Sequence, residues 1–531
     1  MKYLSKIFIV TLLITAVSCK NDFEEINAPW DKPNSASTPE MFNAVISSLP
    51  LTAGEQSVMN AWLYPITQQA AITSGSYPYD NAKNDVWQNY YYTLGNVRVI
   101  EDRIAKSADP ASMNNVSAML KTIMAYKSFK LTNYYGAVPY KEAGYAALAA
   151  DKGVGVYKSK YNTQQEIYTD ILTNLKWAVD NLKTDASQYS LGNYETLFKG
   201  DISKWIRFAN SLRLYIAATI YNKDQALATA HITDALTKPL LGDTENVGIW
   251  PADLNLSLQW REWSFSANCY LRMGSTMWSL MSANDNKDGS GIFDPRARIF
   301  YEPNNAGEWV AYPQNPVSGV TPTEGGTPYD KKRYTAWSDK GASNLYSPVN
   351  LYFEQDLTTI PELILTAAQV RFIKAEIYNR GMGVAANAAT AKAEYESGIK
   401  ASVNMWKGIA FKSPVWTVAK PSSATATDAE ISTLLSSPVV AYAADPATAL
   451  KQIYAQLWID QFRQPFDAWT LKRRTGDKTP VSTSNSQYYT GNFGTYQRFV
   501  YPDDEITYNA DNFKAAAGGT NLNSTKLWIT Q

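Results

Sequence analysis

Apolar residues recur at three- and four-residue steps over much of this chain, the spacing of one face of an α-helix. Ile202, Trp205, Ile206, Ala209, Leu212, Ile216 and Ile220 predict a helix over 201–220, with Asp201 as N-cap after Gly200. Thr163 and Glu166 have the spacing of a capping box ahead of Ile167, Ile171, Leu175 and Leu182. Thr366 and Gln369 repeat it before Val370, Ile373 and Ile377, and Gly381 is the expected stop. Ala391, Tyr395, Ile399, Val403 and Trp406 predict another helix, ended by Gly408. Asp445 and Pro446 supply a cap and a first-turn proline for Leu450, Ile453, Leu457 and Phe462. Val116, Leu120, Ile123 and Leu131 mark one more. Strand-like alternation is sparse, so the fold class is mainly α. Several helical pairs have about the length of a tetratricopeptide unit, although that repeat's residue signature is not legible.

Residues 242–361 break the pattern. They are rich in Gly, Pro, Asn, Ser and aromatics, with little periodicity outside Leu271–Met281. A loop-rich insert of this length is functional or disordered. Its tryptophans, Trp250, Trp260, Trp263, Trp309 and Trp337, argue against disorder.

The first residues carry a different signal. Lys2 and Lys6 precede an apolar run from Ile7 to Val17, which is too short to span a bilayer. Small residues Ala16 and Ser18 then lead to Cys19. This arrangement resembles a bacterial lipoprotein signal, in which the cysteine is acylated and becomes the new N-terminus. An ordinary secretory peptide is the alternative. The expected organisation is a signal peptide over 1–18, a lipidated flexible leash over 19–40, and a single domain over 41–531. The leash opens on Lys20-Asn21-Asp22-Phe23-Glu24-Glu25, and its acidic cluster resembles a surface-export signal of outer-membrane lipoproteins. Two acyl chains anchor stably where one is marginal. No later stretch is long and apolar enough to span a bilayer, so the membrane is expected to be met through the N-terminal lipid only. Lipidation of Cys19 would leave Cys269 unpaired.

Composition narrows the chemistry. The 531 residues hold 49 Lys+Arg against 49 Asp+Glu, which argues against a nucleic-acid partner. There are 35 Tyr, 16 Trp and 17 Phe but one His and 2 Cys, so imidazole-based catalysis and metal binding have almost no material. The lone His231 lies on a polar helix without an imidazole or thiol partner other than Cys269. Asn284-Asp285-Asn286-Lys287-Asp288-Gly289 alternates oxygen ligands as a calcium loop does, but the twelfth position is Pro295 rather than Glu, so a plain turn is expected. Gly153-Val154-Gly155 lacks the third glycine of a phosphate loop. Neither cofactor nor metal is expected.

Four segments together resemble the SusD/RagB family of outer-membrane lipoproteins, which capture nutrients for a partner transporter. They are Asn133-Tyr-Tyr-Gly-Ala-Val-Pro-Tyr140, Lys160-Tyr-Asn-Thr-Gln-Gln-Glu-Ile-Tyr168, the run from Gly200 to Leu214, and the tail around Tyr501-Pro502. Asp294-Pro295-Arg296, Ala375 to Gly381, and Trp469 with Arg473-Arg474 support them in the same order. Ala137 stands where relatives often carry an acidic residue. The resemblance implies an α-rich domain with tetratricopeptide-like pairs as scaffold and irregular loops carrying the ligand site. It also implies a place on a SusC-like TonB-dependent transporter, at the outer membrane and facing the exterior. Most motif residues read as structural: Trp205, Phe208, Leu212 and Leu214 as core, Gly136 and Pro139 as a turn. Arg207, Arg213, Arg473 and Arg474 are expected to pair with carboxylates or helix ends.

A sugar offers polarised C–H groups on one ring face and hydroxyls on its rim. Aromatic faces stack on the first, and Asp, Asn, Gln or Arg bond the second. Aromatic residues in polar, non-periodic sequence are therefore the ligand-binding candidates: Tyr77 and Tyr79 with Asp80 and Asn81, then Trp260, Trp263, Trp309 and Trp337, with Arg261 and Tyr312 beside them. Any of these could instead pack its loop on the helices. The family's own contact residues vary, so none is carried over by position. The expected function is non-catalytic capture of oligosaccharides, without catalytic residues. Peptide capture on the same fold and a two-carboxylate glycoside hydrolase are the alternatives.

Overall fold

Each capping signal read from the sequence starts a helix, and more are present than were read. The computed structural model describes residues 36–72, 83–258, 271–304, 306–313, 345–350, 352–353, 356–419, 426–476, 478–481 and 496–530. The helices that carry the architecture are α1 (Thr38–Ser47), α2 (Lys83–Ala105), α3 (Asn114–Tyr135), α4 (Gln164–Asn181), α5 (Ile202–Ile220) and α6 (Gln225–Leu236) in the first half. The second half adds α7 (Ala367–Arg380), α8 (Ala388–Lys412), α9 (Pro446–Asp460), α10 (Pro465–Arg474) and α11 (Asp503–Tyr508). Asp201 caps α5 by accepting from the Lys204 amide at 3.0 Å. The Thr163–Glu166 and Thr366–Gln369 boxes close in both directions, and Gly381 ends α7 in the left-handed region.

Two boundaries differ from the expectation. A helix begins before residue 40, the expected end of the leash. Ser37 and Glu40 form a capping box that starts α1, Pro39 fits its first turn, and Phe42, Val45 and Ile46 are buried. Gly408 does not stop α8, which runs on to Lys412. A glycine inside a helix costs only about 1 kcal/mol, and the turn beyond it buries Ile409 and Ala410 in the core.

Successive helices pack as neighbours from α1 through α6, and α7 packs on both α8 and α9. Helix α5 joins the two halves, touching α3, α4, α6, α7 and α10. Accordingly it is buried on all sides from Phe208 to Ile220, as a central helix must be. One contiguous hydrophobic core includes both Phe42 and Ile529. The fold is mainly α, with tetratricopeptide-like helical pairs as its scaffold.

Among the described residues the sheet content is three short antiparallel pairs. Strand β1 (Ala71–Ile72) pairs with β5 (Leu271–Arg272), β2 (Val138–Pro139) with β3 (Tyr161–Asn162), and β4 (Val247–Ile249) with β6 (Glu362–Leu365). The last pair sets Val247 opposite Leu365 and so pins together the two ends of the loop-rich insert. No described helix is long and apolar enough to cross a membrane.

Candidate functional site

The motif residues resolve into scaffold. Arg474 grips Glu376 with two hydrogen bonds, at 2.7 and 3.0 Å, and Arg380 and the Tyr454 hydroxyl each donate to the same carboxylate at 2.8 Å. Burial alone would raise the Glu376 pKa, but the charge and hydrogen bonds of Arg474, with Arg380, outweigh it and bring it down to about 2. Arg296 and Asp294 form a fully buried pair at 2.6 Å. Arg207 holds Glu245, and Arg213 holds Asp234 while donating Nε–H to His231 Nδ1 at 2.8 Å. Arg473 donates to the carbonyls of Asn133, near the end of α3, and Gln497, and lies 3.7 Å over the Trp469 ring. These arginines tie distant segments together and present no cluster for a ligand.

Within the insert, Trp309 is buried. Its ring stacks 6.1 Å from that of Trp278, 10° from parallel. A Cβ on Gly289 would come within 2.6 Å of the indole, and Gly289 also has φ +74°, so this turn needs glycine on both counts. The oxygens of the calcium-like segment serve the protein itself. Asp285 accepts from Trp278 Nε1, Asn284 from the Asn286 amide, and Asp288 from the Ser290 amide. Tyr312 is buried as well. For Trp309 and Tyr312, packing is the observed role.

Tyr77, Tyr79, Asp80, Asn81, Trp260, Arg261, Trp263 and Trp337 lie outside the described residues, as does Cys19. The described residues on either side of them are informative. Ile72, from which 73–82 leaves, pairs with Leu271, where 259–270 returns. Arg272 bridges to Pro348, and Gly274 to Tyr312, on either side of segment 314–344. Backbone hydrogen bonds from Tyr312 N to Met273 O and from Met273 N to Ser347 O, both 2.8 Å, complete the junction. The three segments that hold Tyr77, Tyr79, Trp260, Trp263 and Trp337 therefore root at a single strand cluster. Separations of about 190 and 240 residues along the chain hid this from sequence reasoning.

Two tyrosines that sequence reasoning did not single out stand in the open. Tyr92 of α2 and Tyr157 are 78% and 61% exposed. Both line an open groove of about 490 Å³ together with Trp87, Tyr91, Asn96 and Glu505. Tyr92 lies one position from a residue of the helical apolar face, and only the phase of α2 against its neighbours turns it outward.

A family model described as SusD-like, starch-binding and associating with the outer membrane, matches residues 32–502. Among solved structures, a chitin-binding protein is similar at 24% identity and a TM-score of 0.69, covering 93% of this chain and 99% of that one. A SusD homolog from Bacteroides fragilis (19% identity, TM-score 0.70, 93% and 100% covered) and one from Parabacteroides distasonis (19%, 0.70, 93% and 98%) share the fold. No curated protein gives a match.

Proposed function

The chain belongs to the SusD-like family, and on that premise we propose that it is a non-catalytic, lipid-anchored protein of the outer membrane's outer face. It captures oligosaccharides and delivers them to a partner TonB-dependent transporter. The observation that carries the ligand side of this reading is the strand junction of Ile72, Leu271, Gly274, Tyr312 and Pro348. It gathers at one place the roots of three segments that hold unassigned aromatic residues. Loops rooted together on a rigid bundle can present several ring faces to one ligand, which is what a sugar chain requires.

Weak contacts suffice for this role. A ligand held beside the pore has a raised effective concentration there without tight binding. A lid that stays on its barrel also needs a large interface, of the size found in near-obligate complexes.

Incubating the full chain with a panel of neutral oligosaccharides and of oligopeptides tests the reading. Bound sugar recovered unchanged is the expected result. New reducing ends would establish hydrolysis, and binding of oligopeptides alone would establish peptide capture on the same fold.

A further inference from the structure

The open groove beside α2 has chemistry of its own. Consecutive residues Tyr90, Tyr91 and Tyr92 point three ways, as 100° per residue requires. Tyr90 is buried, its hydroxyl 2.9 Å from Ser128 Oγ, and Tyr91 is half-buried and donates to the Pro139 carbonyl at 2.7 Å. The Tyr92 side chain has no hydrogen bond, ring contact or cation among the described residues, and neither has that of Tyr157. Nearby Tyr145 shows what an occupied ring looks like. Arg98 and Lys152 stand 4.6 and 4.8 Å from its centroid.

The groove's other walls suit a neutral polar ligand. Gly95 and Gly144 lie close together, so that a Cβ on Gly95 would come 3.9 Å from the Gly144 carbonyl, and the wall there is bare backbone. The Asn96 side-chain amide has no partner among the described residues. Glu505 accepts through Oε2 from the Tyr161 hydroxyl at 2.7 Å and from Asn509 Nδ2 at 3.0 Å, which fixes its carboxylate and leaves Oε1 unbonded among the described residues. Glu505 is the one charged residue of the lining. The volume lies within the range of about 300–1,000 Å³ of small-molecule sites.

We propose that this groove, whose lining includes none of the strand-junction residues, is a second carbohydrate subsite. A short stretch of a neutral glycan chain lies on Tyr92 and Tyr157 as stacking platforms, with hydroxyls bonded to Asn96 and Glu505. An ionic ligand would find, among the described lining residues, a single carboxylate and no cation. A wholly apolar one would leave the carboxylate and the amide unpaired, which costs affinity. The proposal rests on the glycan-capture reading and adds a place where the chain can be gripped a second time.

The test uses the full chain in a non-glycosidic detergent with maltoheptaose and chitohexaose as probes. Calorimetry is paired with amide exchange read over residues 87–99 and 143–159. The expected result is protection of those two stretches by at least one probe. Its affinity should fall about tenfold in the Tyr92→Ala/Tyr157→Ala double variant and be retained in Tyr92→Phe/Tyr157→Phe. Both tyrosines are exposed, so an unchanged melting temperature checks that the variants fold. Sugar binding without protection of 87–99 and 143–159 overturns the subsite while leaving the proposed function standing. Failure of both probes and of the whole oligosaccharide panel removes both. Sugar binding unaffected by the double variant, with loss of co-purification with a transporter, overturns the subsite and assigns the surface to a protein partner.

Discussion

Trp87 divides two aromatic regions that use the same residue types to opposite ends. On one side its ring meets Tyr135 at 5.1 Å and Tyr501 at 6.0 Å, and beyond them Tyr134 stacks on Phe499 at 4.3 Å. The Tyr501 hydroxyl donates to the Ala137 carbonyl at 2.7 Å, and that of Tyr168 to Asn133 Oδ1 at 3.0 Å. On the other side Trp87 lines the open groove, where Tyr92 and Tyr157 carry hydroxyls and ring faces without partners among the described residues. A buried tyrosine must bond its hydroxyl or leave a desolvated dipole unpaired. The sealed side meets that demand from its own carbonyls and side chains, which makes it scaffold. The open side leaves the same demand to water or to a ligand. Aromatic richness is therefore one signal with two meanings, and on the two sides of Trp87 hydrogen-bond satisfaction separates them.

The largest expected effect lies on the sealed side. Glu376→Gln removes the charge that balances buried Arg474 and should cost about 3–5 kcal/mol in denaturant unfolding. A loss below about 1 kcal/mol would mean that water reaches this pair and that the region is not sealed. Next come the insert aromatics. Trp260→Ala and Trp263→Ala are each expected to weaken oligosaccharide binding by about 1–3 kcal/mol. Equal affinity of both variants and the unaltered chain by calorimetry would move these residues into the packing class with Trp309.

A smaller effect concerns His231. Burial and then the Arg213 charge, opposed by Asp234 and with a further push from Lys176, lower its pKa from 6.5 to about 4. Its Nδ1 must stay unprotonated to accept from Arg213. Between those two values the unfolded chain binds a proton that the fold refuses, so stability falls as pH drops through that window. A loss of roughly 1–2 kcal/mol between pH 6.5 and pH 4 is expected, allowing for partial solvent screening. The His231→Gln variant, which keeps an acceptor, should lack that component. A pH profile identical in both proteins would refute the assignment. The smallest effect is on the open side, where Tyr92→Ala should change unfolding stability by no more than about 0.5 kcal/mol. A larger loss would show that the ring is part of the scaffold after all.

Much of the scaffold was legible because its signals are local. A capping box spans four residues and an apolar stripe a few turns, so Thr163, Asp201, Thr366 and Asp445 announced their helices without knowledge of distant contacts. Arg207, Arg213, Arg473 and Arg474 proved to pair with carboxylates or a helix end, since a buried guanidinium is stable only where acceptors surround it. Helix ends were less legible. Gly408 reads as a stop, yet the burial of Ile409 and Ala410 outweighs its preference. Pro39 reads as leash, yet it sits in a first turn whose cap is Ser37. The candidate site was legible only as composition. Trp309 belongs to the same irregular sequence as Trp337, and nothing local reveals that Trp278 waits to stack on it.

The amino-acid order by itself determined the helical class, the helix starts at Thr163, Asp201, Thr366 and Asp445, the loop-rich character of 242–361 and the motifs shared with the SusD-like family. Tertiary structure alone decided which rings face outward and which segments share a root. Tyr90, Tyr91 and Tyr92 are chemically identical neighbours, and their separate fates depend on Ser128, on Pro139 and, for Tyr92, on the lack of a partner among the described residues. Those surroundings are set by chain segments that approach from elsewhere. Local pattern fixes the phase of a helix, but exposure is a property of what packs against each face, and that is settled only when distant parts of the chain meet.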